Sequence, residues 1–300
     1  MSENELLFSL FFVSCRSKNK VEQPMIKDFD LLQRANNDYT TIDLEHAEEL
    51  AYRELIDSIR YIPLGDECGV MGNIANIITY KGRFYIQEEQ FDRVFIYDDT
   101  GRCLKKIDNK GRGPGEYLRI ESIDINTEKE ELMLVDGMSD KLFFYDLDGN
   151  FKSIHSIRYF QTENTLCLRD SVFLHISAPS QNFGNEGLYG YALVLSKGNE
   201  NFLKGYRYLP LQVGYKGGGQ IFKGYERSCY HPIYSDTIYQ ILSDTTYGPI
   251  FYFKIKNSSW EKYHNSDRFV DIDGSEEGVF TLLYENQDFF LGYIADKKKK

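Results

Sequence analysis

Gly111-Arg112-Gly113-Pro114-Gly115-Glu116-Tyr117 is the stretch of this chain best equipped for chemistry. Closely spaced glycines let a backbone approach a phosphate, and Arg112 and Glu116 could meet a charged ligand. A phosphate-binding loop also ends in Lys-Ser/Thr and opens a helix, and neither follows here. The run reads better as a tight crossover between strands. Glycines permit positive φ, Pro114 stiffens the turn, and Tyr117 packs at the start of the next strand. Arg112, Glu116 and Tyr117 are its candidate ligand contacts.

The other chemistry-bearing residues are scattered. Histidines stand at positions 46, 155, 175, 231 and 264, with no HxH or HExxH spacing, so a zinc site would need distant strands to converge. His175, inside Val172-Phe173-Leu174-His175-Ile176, reads as a satisfied histidine on a strand face. His231, before Pro232 at a strand end, is the candidate binding histidine. The run from Asp271 to Gly278 is rich in calcium-like oxygens, but its glycine sits at the fourth position and the distal Glu is missing, so it reads as a polar turn. No G-x-S-x-G elbow and no Cys–His signature is present. Cys68, Cys103, Cys167 and Cys229 form no CxxC pair and read as small buried hydrophobes, their spacing lending no support to a disulfide. These readings predict no metal and no cofactor.

What must position these residues is a repeat. Val94-Phe95-Ile96-Tyr97-Asp98-Asp99-Thr100-Gly101 is echoed by Leu142-Phe143-Phe144-Tyr145-Asp146-Leu147-Asp148-Gly149, an offset of 48 residues. Ile77 and Ile125, and Phe84 and Leu132, keep the same offset. Short aromatic strands separated by polar turns at a period in the forties indicate β-propeller blades of four antiparallel strands. The expected strands of blade one are 76–80, 83–87, 93–97 and 102–107, and of blade two 120–126, 131–136, 141–145 and 151–157. Blade three should hold 165–168, 171–176, 191–195 and 202–208, with 177–190 as a loop. Blade four should hold 220–230, 237–242 and 250–255, and a fifth begins near 269 with strands at 278–284 and 288–294. A short strand at 41–44, one helix at 45–58 and a strand at 59–64 precede them.

The net charge of −11 argues against a nucleic-acid partner, which needs a concentrated positive field. An aromatic fraction of 15% suits pleated, half-buried surfaces. The first fifteen residues are a short apolar run, Leu6 to Ser14, ending at Cys15. It resembles the lipobox of bacterial lipoproteins, in which the cysteine after the cut carries the lipid. It departs from that pattern in the acidic residues Glu3 and Glu5, where a basic n-region is usual, and in Phe12, where Leu is usual. The expected organisation is a signal segment at 1–15, a polar tether at 16–40 and a propeller at 41–300, with Cys15 the lipid anchor and the only link to a membrane.

The Tyr-Asp-x-x-Gly strand ends, the Gly111 to Tyr117 loop and Asp236-Thr237-Ile238-Tyr239 together resemble the six-bladed β-propeller lipoproteins of gut Bacteroidota, related in shape to NHL and TolB-type propellers. The resemblance covers about residues 41 to 294 and implies fold and address but no catalytic residues. Six repeats of 48 residues from about residue 72 would need more chain than 300 residues provide. The expectation is therefore about five blades, an open gap beside blade one, and residues 59–64 as the strand meant to complete the last blade. The function expected is non-catalytic binding of a glycan, peptide or envelope protein on the periplasm-facing side of the cell envelope. Its rivals are an envelope lyase or hydrolase with a metal or acid–base pair at the propeller mouth, and a structural scaffold.

Overall fold

A computed structural model describes residues 32–36, 38–43, 46, 56–157, 161–169, 171–177, 191–198, 201–207, 219–224, 227–232, 235–243, 245–254, 279–285 and 290–295. Two short strands lead, β1 (Gln33–Arg34) and β2 (Thr40–Asp43). Blade one follows as β3 (Ile74–Tyr80), β4 (Arg83–Glu88), β5 (Arg93–Asp98) and β6 (Cys103–Ile107). Blade two is β7 (Ser122–Asn126), β8 (Glu131–Asp136), β9 (Lys141–Asp146) and β10 (Phe151–Ser156). Blade three is β11 (Asn164–Arg169), β12 (Val172–Ile176), β13 (Tyr191–Lys197) and β14 (Asn201–Arg207). Blade four is β15 (Gln220–Gly224), β16 (Arg227–His231), β17 (Thr237–Ile241) and β18 (Thr246–Lys254). A separate two-stranded sheet holds β19 (Val279–Glu285) and β20 (Phe290–Ala295). Each blade is an antiparallel meander, and β3, β7, β11 and β15 neighbour one another in sequence order around an axis. The protein is an all-β propeller.

Alternation along the strands explains why the sheets stack. In β5, Val94 and Ile96 point one way and join Ile123, Ile125, Leu132, Leu134, Phe143 and Tyr145 of blade two. Phe95 and Tyr97 point the other way, with Ile86 and Cys103. Blade two repeats the division: Met133, Val135, Leu142 and Phe144 turn toward Cys167 and Phe173 of blade three. Blade three sends Leu174, Ile176, Leu193 and Leu195 against Ile221, Tyr230 and Ile241 of blade four. Complete burial of each such side chain contributes about 1.5–3 kcal/mol, so the sheet-to-sheet faces dominate stability.

The Tyr-Asp-x-x-Gly repeat has a local cause. Asp98 Oδ1 accepts hydrogen bonds from the Thr100 and Arg102 N–H groups at 3.0 and 3.1 Å. Asp146 Oδ1 does the same for Asp148 and Asn150 at 3.0 and 2.8 Å. The Thr100 hydroxyl first, then these backbone donors, hold the Asp98 carboxyl down to about 2. The turn then passes through Gly101 and Gly149, both left-handed at φ 89° and 80°.

The N-terminal part departs from expectation. Residues 59–64 are not a strand and pair with none. Instead the segment 56–72 crosses the far face of blade one as a strap. The Gly65 N–H donates to Gly101 O at 2.8 Å, the Tyr97 hydroxyl to Gly65 O at 3.2 Å, and Arg60 to Asp99 O at 2.7 Å. Cys68 and Cys103 form a disulfide, which overturns the reading of both as isolated buried thiols. Their separation of 35 residues carried no signal because the partner lies across a sheet face rather than along the chain. Within the expected tether, β1 pairs in parallel with β18 and Leu32 is buried, so its last residues belong to the fold. The expected strand near 41–44 is β2, which pairs in parallel with the other half of β18. The expected run 220–230 is two strands, β15 and β16, joined as a hairpin. Of the expected helix only residues 46 and 56–58 are described, and 56–58 are non-helical. The signal segment with Cys15, and residues 178–190 of the expected loop, lie outside the described residues.

Gly101 carries two constraints at once. Besides its positive φ, an added Cβ would come within 2.1 Å of Pro63 O on the strap, whereas Gly82, at φ 71°, has nothing within 4 Å. Gly101→Ala should therefore cost about 1–3 kcal/mol, clearly more than Gly82→Ala, in urea unfolding. Equal costs would remove the strap contact as a cause.

Candidate functional site

Four inner strands enclose an axial cavity of about 660 Å³. Its lining includes Asn76 and Thr79 from β3, Gln87 from β4, Ser122 and Asp124 from β7, Asn164 from β11 and Phe222 from β15, with Glu121 and Glu163 at the entrance. Carboxylates, amides and one aromatic ring thus converge from four sheets.

Its floor is an ion pair that crosses the axis. Lys223 on β15 reaches past β11 to β7, placing Nζ 2.7 Å from Asp124 Oδ2 and 2.6 Å from Ile125 O. The same Asp124 oxygen accepts the Cys167 N–H at 2.7 Å. Burial pushes the Asp124 carboxyl up, and the Lys223 ammonium opposes that shift. The lysine lines a second cavity too, of about 480 Å³, at the finishing ends of β7, β11 and β15. Arg227 and Ser228 of β16 and Gln240 and Ile241 of β17 complete that second cavity, so Lys223 borders both. A buried carboxylate stripped of its cation would be strongly destabilising, so the bridge holds three blades in register.

Tyr117 lies inside the fold. It is 0% exposed, its hydroxyl donates to Asp92 O at 2.8 Å, and it accepts the Asn109 N–H at 3.1 Å. The Gly111 N–H donates to Tyr117 O at 2.9 Å and the Tyr117 N–H to Asn109 O at 3.2 Å, closing the glycine run into a crossover. Glu116 accepts the Gly113 N–H at 2.6 Å. Glu116 and Arg112 are exposed, but neither is among the described residues lining the axial cavity. Asp92, at φ 56°, anchors the crossover by accepting the Ile120 N–H and pairing with Lys110.

His231 is buried, with Nε2 2.8 Å from Ser235 O, and burial lowers its pKa. Tyr117 lies in the crossover between blades one and two and His231 at the end of β16 in blade four, both buried; none of Arg112, Glu116, Tyr117 and His231 is among the residues lining the axial cavity. His175 is likewise buried between the Thr165 and Ser196 hydroxyls at 2.9 and 2.7 Å, and its pKa falls to about 3. Cys167, pushed up to about 12 by burial, is an inert thiol at neutral pH. Among the described residues, no group of three or more His, Cys, Asp or Glu side chains could hold a metal ion. The axial ion pair was missed at the sequence level; its two traces are Lys223 after Ile221-Phe222 and Asp124 between Ile123 and Ile125.

Acidic side chains gather near the entrance. Burial raises the Glu121 carboxyl, Arg119 at 3.4 Å counters it, and Asp136, Asp92 and Glu163 add to the rise.

The sheets define a β-propeller built of four-stranded antiparallel blades. The family model for a domain of unknown function, DUF4934, matches residues 39–300, and the chain belongs to that family. Its structure is similar to that of a Bacteroides fragilis NCTC 9343 protein described as exported, at 18% identity and a TM-score of 0.65, covering 86% of this chain and 81% of that one. A member of the DUF4221 family from Bacteroides vulgatus aligns at 9% identity and a TM-score of 0.42, over 72% of this chain and 68% of that one. No curated protein matches the chain.

Asp140, in the β8–β9 turn and not among the residues lining either cavity, gives the fold a pH signature. Burial first, and Asp136 second, lift its carboxyl to about 6 from a model-compound value of 3.8. The folded state then binds more protons than the unfolded state between these values, so this residue's contribution to stability is lost as pH rises from about 4 to about 6. Asp140→Asn should flatten that slope and raise the urea midpoint at pH 7. An unchanged slope in denaturation series from pH 4 to 7 would contradict the assignment.

Proposed function

We propose that this chain is a lipid-anchored propeller of the six-bladed type that binds a glycan, peptide or protein partner at the bacterial cell envelope without catalysis. The carrying observation is the axial chamber: about 660 Å³, floored by the Lys223–Asp124 bridge and lined from four rigid sheets. Concave sites with a few convergent polar groups on rigid elements suit ligand binding. The carboxylate at the floor is already engaged by a lysine and a backbone N–H, which favours a structural role for it over acid–base work.

The envelope address draws support from the Cys68–Cys103 disulfide, since such bonds persist in oxidising compartments. The Leu6 to Cys15 run adds the anchor, and the basic residues Arg16, Lys18 and Lys20 after it favour the periplasm-facing side.

The binding reading is tested by a glycan and peptide screen on the unlipidated protein, with and without calcium and zinc. Asn76 is exposed at the chamber wall, so Asn76→Trp fills the chamber without disturbing the core. It should weaken any hit by on the order of tenfold or more, while Met138→Trp, an exposed site outside the lining, should not. Equal binding by both variants would place the ligand elsewhere, and turnover of a screened compound would favour an enzyme. Separately, Cys15→Ala should move the protein from the membrane to the soluble fraction; membrane retention of the full-length unlipidated chain would refute the anchor.

A further inference from the structure

Blade one has two covers of different kinds. Blade two seals the face formed by Tyr85, Val94 and Ile96. The strap 56–72 covers the face formed by Ile86, Phe95 and Tyr97, bringing Cys68 and Met71 against it. The strap makes no strand pairing. Several of its own apolar side chains turn outward: Tyr61 is 86% exposed and Val70 85%, with Ile59 and Leu64 also exposed. Burial of the strap's own residues therefore holds it weakly. What holds it is the packing of Cys68 and Met71 on that face, a few hydrogen bonds to β5, the β5–β6 turn and β6, and one covalent bond.

We propose that the Cys68–Cys103 disulfide is a redox latch, and that its reduction releases the strap from blade one while the sheets behind it stay folded. Cys103 is buried at the first position of β6, whereas Cys68 is half-buried on the strap. Attack therefore comes at the Cys68 sulfur. The thiolate of a dithiol bonds to Cys68 Sγ, the protein S–S bond breaks, and Cys103 leaves as a thiolate that takes up a proton. The second thiol of the reductant then displaces Cys68, leaving two protein thiols and an oxidised, disulfide-bonded reductant. Asp66 and Glu67 flank the bond, so an incoming thiolate meets a negative field, and reduction should speed up as salt screens it. Once released, the strap uncovers Ile86, Phe95 and Tyr97. The oxidised chain presents a sealed face and the reduced chain an apolar one.

Hydrogen–deuterium exchange on the full chain tests the latch, comparing the oxidised protein, the same protein with dithiothreitol, and the Cys68→Ser/Cys103→Ser variant. Exchange across 56–72 should rise on the order of tenfold in both the reduced protein and the Cys68→Ser/Cys103→Ser variant, with 122–146 in blade two unchanged. No rise in 56–72 would show that the remaining contacts hold the strap, and would overturn the proposal. A matching rise in 122–146 would also overturn it, by making the bond a staple for the whole fold.

Discussion

The structure depends on middle strands that must bury both faces. A two-sided strand such as β5 or β9 cannot be satisfied by one neighbour, because its alternating residues point to opposite sides of the sheet. Val94 and Ile96 need blade two, and Phe95 and Tyr97 need another cover. That requirement passes from sheet to sheet and makes stacking around an axis the favoured solution. Where the cover is another sheet, inner strands are sealed as well. Ile125 on β7, flanked by β3 and β11, is 2% exposed, while its repeat partner Ile77 on β3 is 51% exposed.

The N-terminal segment answers the same requirement at two places. Residues 33–43 add β1 and β2 to the outer edge of blade four, where unpaired backbone groups would otherwise face solvent. Residues 56–72 then cover blade one. The intervening 12 residues can span at most about 45 Å, so one short stretch of chain ties the first blade to the fourth. The axis adds a third tie. Lys223 joins blade four to blade two across blade three, and it borders both cavities.

The same ties decide where open space is left. The glycine run between blades one and two, chemically the most suggestive stretch of the sequence, is used up in building a crossover around the Tyr117 hydroxyl. The open polar surface lies instead at the starting ends of the inner strands. There, side chains from four sheets meet with no sequence proximity at all.

The sequence by itself determined the repeat, the alternation and the turns. Tyr97 and Tyr145, Asp98 and Asp146, and Gly101 and Gly149 each act within a few residues of themselves, through strand pleat, carboxylate-capped turns and a left-handed glycine. Such local causes are written in spacing. Strand positions in blades one and two were therefore legible to within a few residues. Only the tertiary structure decided the Cys68–Cys103 bond, the burial of His231 and Tyr117, the course of residues 59–64 and the Lys223–Asp124 bridge. Each depends on which sheet face or strand end arrives opposite a residue many positions away. That arrival is fixed by how whole blades stack, and linear spacing does not encode it.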